Sequence, residues 1–153
     1  GRADPLPPNE AMQTVLDLRR GGATQTRLAL SSEFPTLHPS RVGRRYRYRY
    51  AVASDGAHGH PFQNGLRRID LDTGATQFHS FGADTITEEH LVVPKPDGRR
   101  EDDAWLVGTV LDTARQVTRL TVFDATRIET GPVLDAALPY ALPLGFHGEF
   151  ATA

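Results

Sequence analysis

Along most of the chain, apolar and polar residues alternate in short runs broken by glycine, aspartate and proline. That is the pattern of half-buried β-strands joined by tight turns. Val15 and Leu18, then Leu28 and Leu30, flank Arg19-Arg20-Gly21-Gly22-Ala23 and predict a hairpin. Residues 66–81 repeat the arrangement around Asp72-Thr73-Gly74, whose glycine is free to take positive φ. Residues 106–110 and 119–123 form a third pair around Asp112-Thr113-Ala114-Arg115. Helix is scarce: residues 10–18 have only weak 3.6-residue periodicity, and the proline-punctuated stretch 132–143 reads as an extended connector.

The hairpins echo one another. Leu16-Asp17-Leu18 with Gly22-Ala23-Thr24-Gln25 closely matches Ile69-Asp70-Leu71 with Gly74-Ala75-Thr76-Gln77, and Leu111-Asp112 with Val117-Thr118 is a weaker copy. Self-similar all-β units of about 40–50 residues suggest blades of a β-propeller, with a β-sandwich of convergent turns as the alternative. A propeller closes with typically four to eight blades, whereas 153 residues hold about three. The propeller reading therefore makes this chain part of a larger ring. Residues 1–11, with Pro5, Pro7 and Pro8, read as a tail or broken connection, and 12–153 as the propeller part.

Composition narrows the class without naming an activity. A net charge of −2 argues against a dedicated nucleic-acid or other polyanion binder. The absence of cysteine removes disulfides, thiolate metal sites and a cysteine nucleophile. No apolar run approaches the roughly 18 residues that cross a bilayer, so a cytoplasmic location is the expectation. Walker, dinucleotide-binding, G-x-S-x-G and H-E-x-x-H motifs are all missing.

Four places could carry chemistry. His58-Gly59-His60 is an H-x-H pair, but its glycines and Pro61 favour a plain surface turn over a metal site. His147 lies between Gly145 and Gly148 in an apolar stretch, where glycines let the backbone approach a crowded site, although a satisfied core histidine would read the same way. Glu33, before Phe34 and Pro35, and Glu89, opening the run Leu91-Val92-Val93, are strand-end carboxylates. Either one needs a partner if it points inward, and an imidazole N–H is a candidate. Residues 44–50 alternate arginine with tyrosine. As one strand they would set Arg45, Arg47 and Arg49 opposite Tyr46, Tyr48 and Tyr50. This either grips single-stranded nucleic acid, making the chain a metal-free binding module, or is an amphipathic strand with its arginines paired to acids.

In chain order, several segments together resemble one family, the carotenoid cleavage oxygenases with their bacterial lignostilbene-dioxygenase-like members. They are Glu33-Phe34-Pro35-Thr36-Leu37-His38-Pro39, Val42 to Tyr48, Gly65-Leu66 with Asp70-Leu71-Asp72-Thr73-Gly74, Glu89 to Pro96, Glu101 to Leu106, and Leu138-Pro139 through Gly148. The resemblance implies an all-β fold, the C-terminal three or so blades of a seven-bladed β-propeller. It implies a non-haem Fe²⁺ held by four histidines, with His147 the last of them. Glu33 and Glu89 become two of three carboxylates that hydrogen-bond to ligand histidines. The implied reaction is O₂-dependent scission of a conjugated alkene in a carotenoid, apocarotenoid or stilbene-type substrate into two carbonyl products. The implied partners are that apolar substrate, O₂ and the missing N-terminal blades, with room for a peripheral membrane contact. One departure stands out: members usually have proline after the second glutamate, where this chain has His90. His38, His58, His60, His79 and His90 do not fall at ligand positions, so the chain alone is expected to be inactive.

Overall fold

The computed structural model describes residues 11–28, 31–56 and 62–151. Its strands form three antiparallel sheets. A two-stranded hairpin joins β1 (Ala11–Asp17) to β2 (Gly22–Leu28). A four-stranded sheet runs β3 (Glu33–Thr36), β4 (Tyr48–Ala53), β5 (Gly65–Asp70), β6 (Thr76–Ser80). A second runs β7 (Thr85–Pro94), β8 (Ala104–Asp112), β9 (Val117–Asp124), β10 (Leu134–Ala137). Helical geometry among the described residues is confined to 3-10 turns at Pro39–Arg41 and Ile128–Thr130.

The all-β expectation holds, and the three hairpins form with one shared turn chemistry. The aspartate closing the first strand turns its carboxylate back onto the loop. Asp17 Oδ1 accepts from the amides of Arg19 and Arg20, Asp70 Oδ1 from Asp72 and Thr73, and Asp112 Oδ1 from Arg115. A positive-φ residue then completes each reversal: Gly21, Gly74, and Gln116 at φ 55°. The repeat marks this turn and not one fixed place in a sheet. β5–β6 are the last two strands of their sheet, whereas β8–β9 are the middle two.

Residues 11–17 pair in full with β2, as the first predicted hairpin requires. Three expectations are corrected. The connector 132–143 contains β10, which adds to β9. Residues 44–50 do not form one strand. β4 begins at Tyr48, because Arg45 and Arg47 are drawn off by Asp72 and Asp70 at the neighbouring turn. Glu89 sits in the middle of β7, which starts four residues earlier at Thr85. The tail 1–10, the His58-Gly59-His60 pair and Leu30 lie outside the described residues.

The two four-stranded sheets share a core. Tyr50, Val52 and Leu66 on one side meet Val92, Ala104, Leu106, Phe123, Ala125 and Ile128 on the other. Period-2 alternation puts the strand residues on one face of each sheet. The loop between β7 and β8 ties the sheets together at one end. Glu101 Oε1 accepts from the backbone amides of Arg47 and Tyr48 at 2.7 and 2.8 Å. Asp102 pairs with Arg68 at 3.0 Å, and that guanidinium lies over the Tyr48 ring. Nearer the middle, the Thr36 hydroxyl donates to the His90 carbonyl, holding β3 against β7.

Candidate histidine–carboxylate site

β7 carries the structural irregularity that builds the site. Thr87 pairs with Val110 and His90 with Gly108, so Glu88 and Glu89 together oppose Thr109. This is a β-bulge. Thr85 and Thr87 are buried before it, and His90 and Val92 after it, so the core-facing parity switches from odd to even. Both glutamates fall off the core face and reach the same segment, 145–148. Glu89 Oε2 accepts from the Gly148 amide at 2.8 Å, and Oε1 lies 3.4 Å from His147 Nδ1. Glu88 Oε1 accepts from the Gly145 amide at 2.6 Å, and Oε2 from the Thr109 hydroxyl at 2.6 Å.

A carboxylate accepts only, so the His147 contact places the proton on Nδ1 and leaves Nε2 as the free nitrogen. The Nε2 atom has no hydrogen bond among the described residues. The side chain is 74% exposed and is braced on one side by Phe34, whose ring meets the imidazole edge-on with centroids 5.4 Å apart. Phe34 has φ 47° and sits in a register shift between Glu33 and Thr36. Such a conformation for a bulky side chain persists only where surrounding contacts hold it. It lets Phe34 reach both Phe146 and His147 from the first strand of its sheet. Glu33, half-buried, heads the same strand. The structure thus joins Glu89 directly to His147, and Glu33 is the chain neighbour of Phe34, which packs on His147.

The other described histidines are engaged locally, His38 and His90 by hydrogen bonds and His79 by ring contacts. His38 Nδ1 meets the Ser40 hydroxyl at a 3-10 turn. His79 packs edge-on between Phe81 and Phe123, and burial lowers its pKa. His90 is inside the core, with Nδ1 2.9 Å from the Glu88 carbonyl and Nε2 2.8 Å from the Thr121 hydroxyl. Burial pushes its pKa down to about 4, despite the Glu88 carbonyl working the other way. The arginine–tyrosine stretch is also spoken for. Arg45 pairs with Asp72, Arg47 makes a two-pronged contact with Asp70, and Arg49 is buried against Ser32. Tyr50 is in the core. The arginines are not presented as one contact face.

Sequence reasoning missed Glu88 and Phe34. A signal for Glu88 exists: two consecutive glutamates inside an otherwise alternating strand break its parity, as a bulge does. No group of three or more His, Asp or Glu side chains among the described residues could hold a metal ion. What the chain offers is one imidazole with Nδ1 anchored and Nε2 available. That donor set suits a single ligand in a site completed by groups from outside these residues. Beside it runs an apolar groove of about 980 Å³, lined in part by Leu37, Leu91, Val93, Trp105, Gly148 and Phe150.

Comparison with known proteins gives a consistent result. The family model described as "Retinal pigment epithelial membrane protein" matches residues 2–152. Apocarotenoid-15,15'-oxygenase of Synechocystis is 32% identical over 119 residues, covering 78% of this chain and 24% of that protein. A carotenoid cleavage oxygenase of Mycobacterium tuberculosis is 30% identical over 142 residues, covering 90% and 28%. The cobalt-substituted Synechocystis apocarotenoid oxygenase superposes with a TM-score of 0.90 at 27% identity, over all of this chain and 32% of that one. The chain spans about a quarter of the length of the curated relatives it matches.

Proposed function

Since the chain belongs to the carotenoid cleavage oxygenase family, we propose that it is the C-terminal part of a seven-bladed β-propeller enzyme and supplies one ligand, His147, to a ferrous iron. Each four-stranded antiparallel sheet is then one blade, and β1–β2 the outer half of a third. Bound iron would supply open coordination positions for O₂, and with them oxidative scission of a conjugated alkene into two carbonyl products.

The observation that carries this reading is the Glu89–His147 pair. By accepting from Nδ1–H, Glu89 selects the tautomer whose Nε2 lone pair is free, fixes the ring plane and raises its basicity. Phe34 limits rotation on the other side. Glu33 would hydrogen-bond to another histidine ligand, and the remaining ligands would come from elsewhere in the intact protein.

The surface around His147 fits this picture. Tyr140, Leu142, Leu144, Phe146 and Phe150 are all exposed large side chains in the segment that carries it. So many exposed apolar side chains in one short segment fit an interaction or ligand surface. The remaining blades and an apolar conjugated substrate are the groups that would cover it and the adjoining groove.

The test is metal content. In the intact protein His147→Ala should abolish iron retention measured by elemental analysis, with its folded spectrum unchanged. Iron retained at the wild-type ratio would remove His147 from the site and this reading with it.

A further inference from the structure

We propose that Glu88 is a second positioning residue for His147, acting through Gly145 and independently of the Glu89 contact. The inference rests on the reading of His147 as a metal ligand. Its basis is the bulge in β7, which sends two consecutive carboxylates to one segment. Glu89 holds that segment at residues 147 and 148, and Glu88 holds it at residue 145.

Two anchors do what one does not. With Glu89 alone, the segment is pinned at the imidazole and the next amide, and it can pivot there about its own backbone. An anchor two residues upstream removes that freedom and fixes the direction from which His147 enters. Glycine at 145 and 148 makes the need greater, since each has more backbone freedom to lose than any other residue. Glu88 is suited to the task because neither of its oxygens is idle. The Thr109 hydroxyl on β8 donates to Oε2, which sets the carboxylate plane and aims Oε1 at the Gly145 amide. The path from the sheet to the ring therefore runs from Thr109 to Glu88 to Gly145 by hydrogen bonds, and on to His147 along two residues of chain. A charged acceptor on a backbone N–H is also among the stronger hydrogen bonds available.

The experiment compares Glu88→Ala, Glu88→Gln and Thr109→Val in the intact protein. It follows the iron dissociation rate into a chelator and, in the metal-free protein, amide hydrogen exchange at Gly145 and Gly148. Loss of an outer partner of a metal ligand typically costs roughly 10–100-fold in affinity. Glu88→Ala should speed iron loss about tenfold by that rule, with faster exchange at both amides. Glu88→Gln, whose side-chain carbonyl can still accept from Gly145, should stay close to wild type. Thr109→Val should move in the direction of Glu88→Ala by a smaller factor. Iron loss in Glu88→Ala no faster than about twice the wild-type rate, against the tenfold expectation, would overturn the proposal. So would equal iron loss in the Ala and Gln variants with unchanged exchange at Gly145, since the effect would then be charge and not position. His147→Ala run alongside separates the two levels. If it keeps its iron, the ligand assignment fails. If it loses iron while Glu88→Ala does not, only the role of Glu88 fails.

Discussion

His90 places an imidazole in the core, and its surroundings make acid sensitivity a quantitative prediction. A carbonyl can only accept, so the 2.9 Å contact with the Glu88 oxygen puts a proton on Nδ1. Nε2 then accepts from the Thr121 hydroxyl at 2.8 Å. Protonating Nε2 would bury a charge and turn the Thr121 hydroxyl to accept from it and donate to the Gly108 carbonyl 3.3 Å away. Desolvation is accordingly the largest influence, lowering the pKa to about 4 from an ordinary value of 6.5, with His79 beyond Phe123 adding a small repulsion. Because the folded value lies below the unfolded one, the unfolded state binds the extra proton between those two limits. Stability is full above about pH 6.5 and is lost as pH falls toward 4. The total loss is about 3 kcal/mol, because lowering a pKa by one costs the charged form about 1.4 kcal/mol. Between pH 7 and pH 5 the same linkage gives about 2 kcal/mol. His90→Gln keeps a polar side chain and does not titrate. Urea unfolding at pH 7 and pH 5 should show the wild type losing about 2 kcal/mol more than the variant over that interval. Parallel losses in the two proteins would show that His90 is not held neutral and would refute the assignment of its hydrogen bonds.

Two further substitutions probe the elements that place the site. A methyl group at Gly108 would stand 2.5 Å from the Glu89 carbonyl and 2.6 Å from the His90 ring. Gly108→Ala should therefore lower stability by about 1–3 kcal/mol and loosen the bulge, whereas Gly22→Ala, with open space around it, should stay within about 0.5 kcal/mol in the same thermal melt. A Gly108→Ala protein as stable as wild type would mean that β7 and β8 are not packed at this spacing. The Arg68–Asp102 pair, with side chains 11% and 7% exposed, joins the two sheets. Asp102→Ala leaves a buried guanidinium with its main acid removed and should cost about 3–5 kcal/mol. Combining it with Arg68→Met should recover much of that loss in denaturant unfolding, and an undiminished loss in the double variant would put the cost elsewhere.

Strand character, the hairpins and their aspartate-capped turns were legible because each depends on residues within a few positions of one another. Asp70, Thr73 and Gly74 make their reversal wherever the sheet happens to be, and alternation announces a half-buried strand without naming its neighbour. His147, Glu33 and Glu89 could be singled out as candidates because their motifs resemble a family. Their mutual geometry could not be read in the same way. Glu89 and His147 are 58 positions apart, and the partner of a carboxylate at that separation is set by how sheets pack. The arginine–tyrosine stretch shows the same limit from the other side: its alternation is regular, yet Asp70 and Asp72 on a neighbouring turn end the strand early. Local sequence thus specified the hairpins and their turns, but not β10 or where β4 and β7 begin. The bulge that flips the parity of β7, sends Glu88 and Glu89 to one segment and puts His90 into the core was settled by assembly. The bulge pairs with β8 where Gly108, having no side chain, leaves room for the His90 ring, a contact set only by the packing of the two strands.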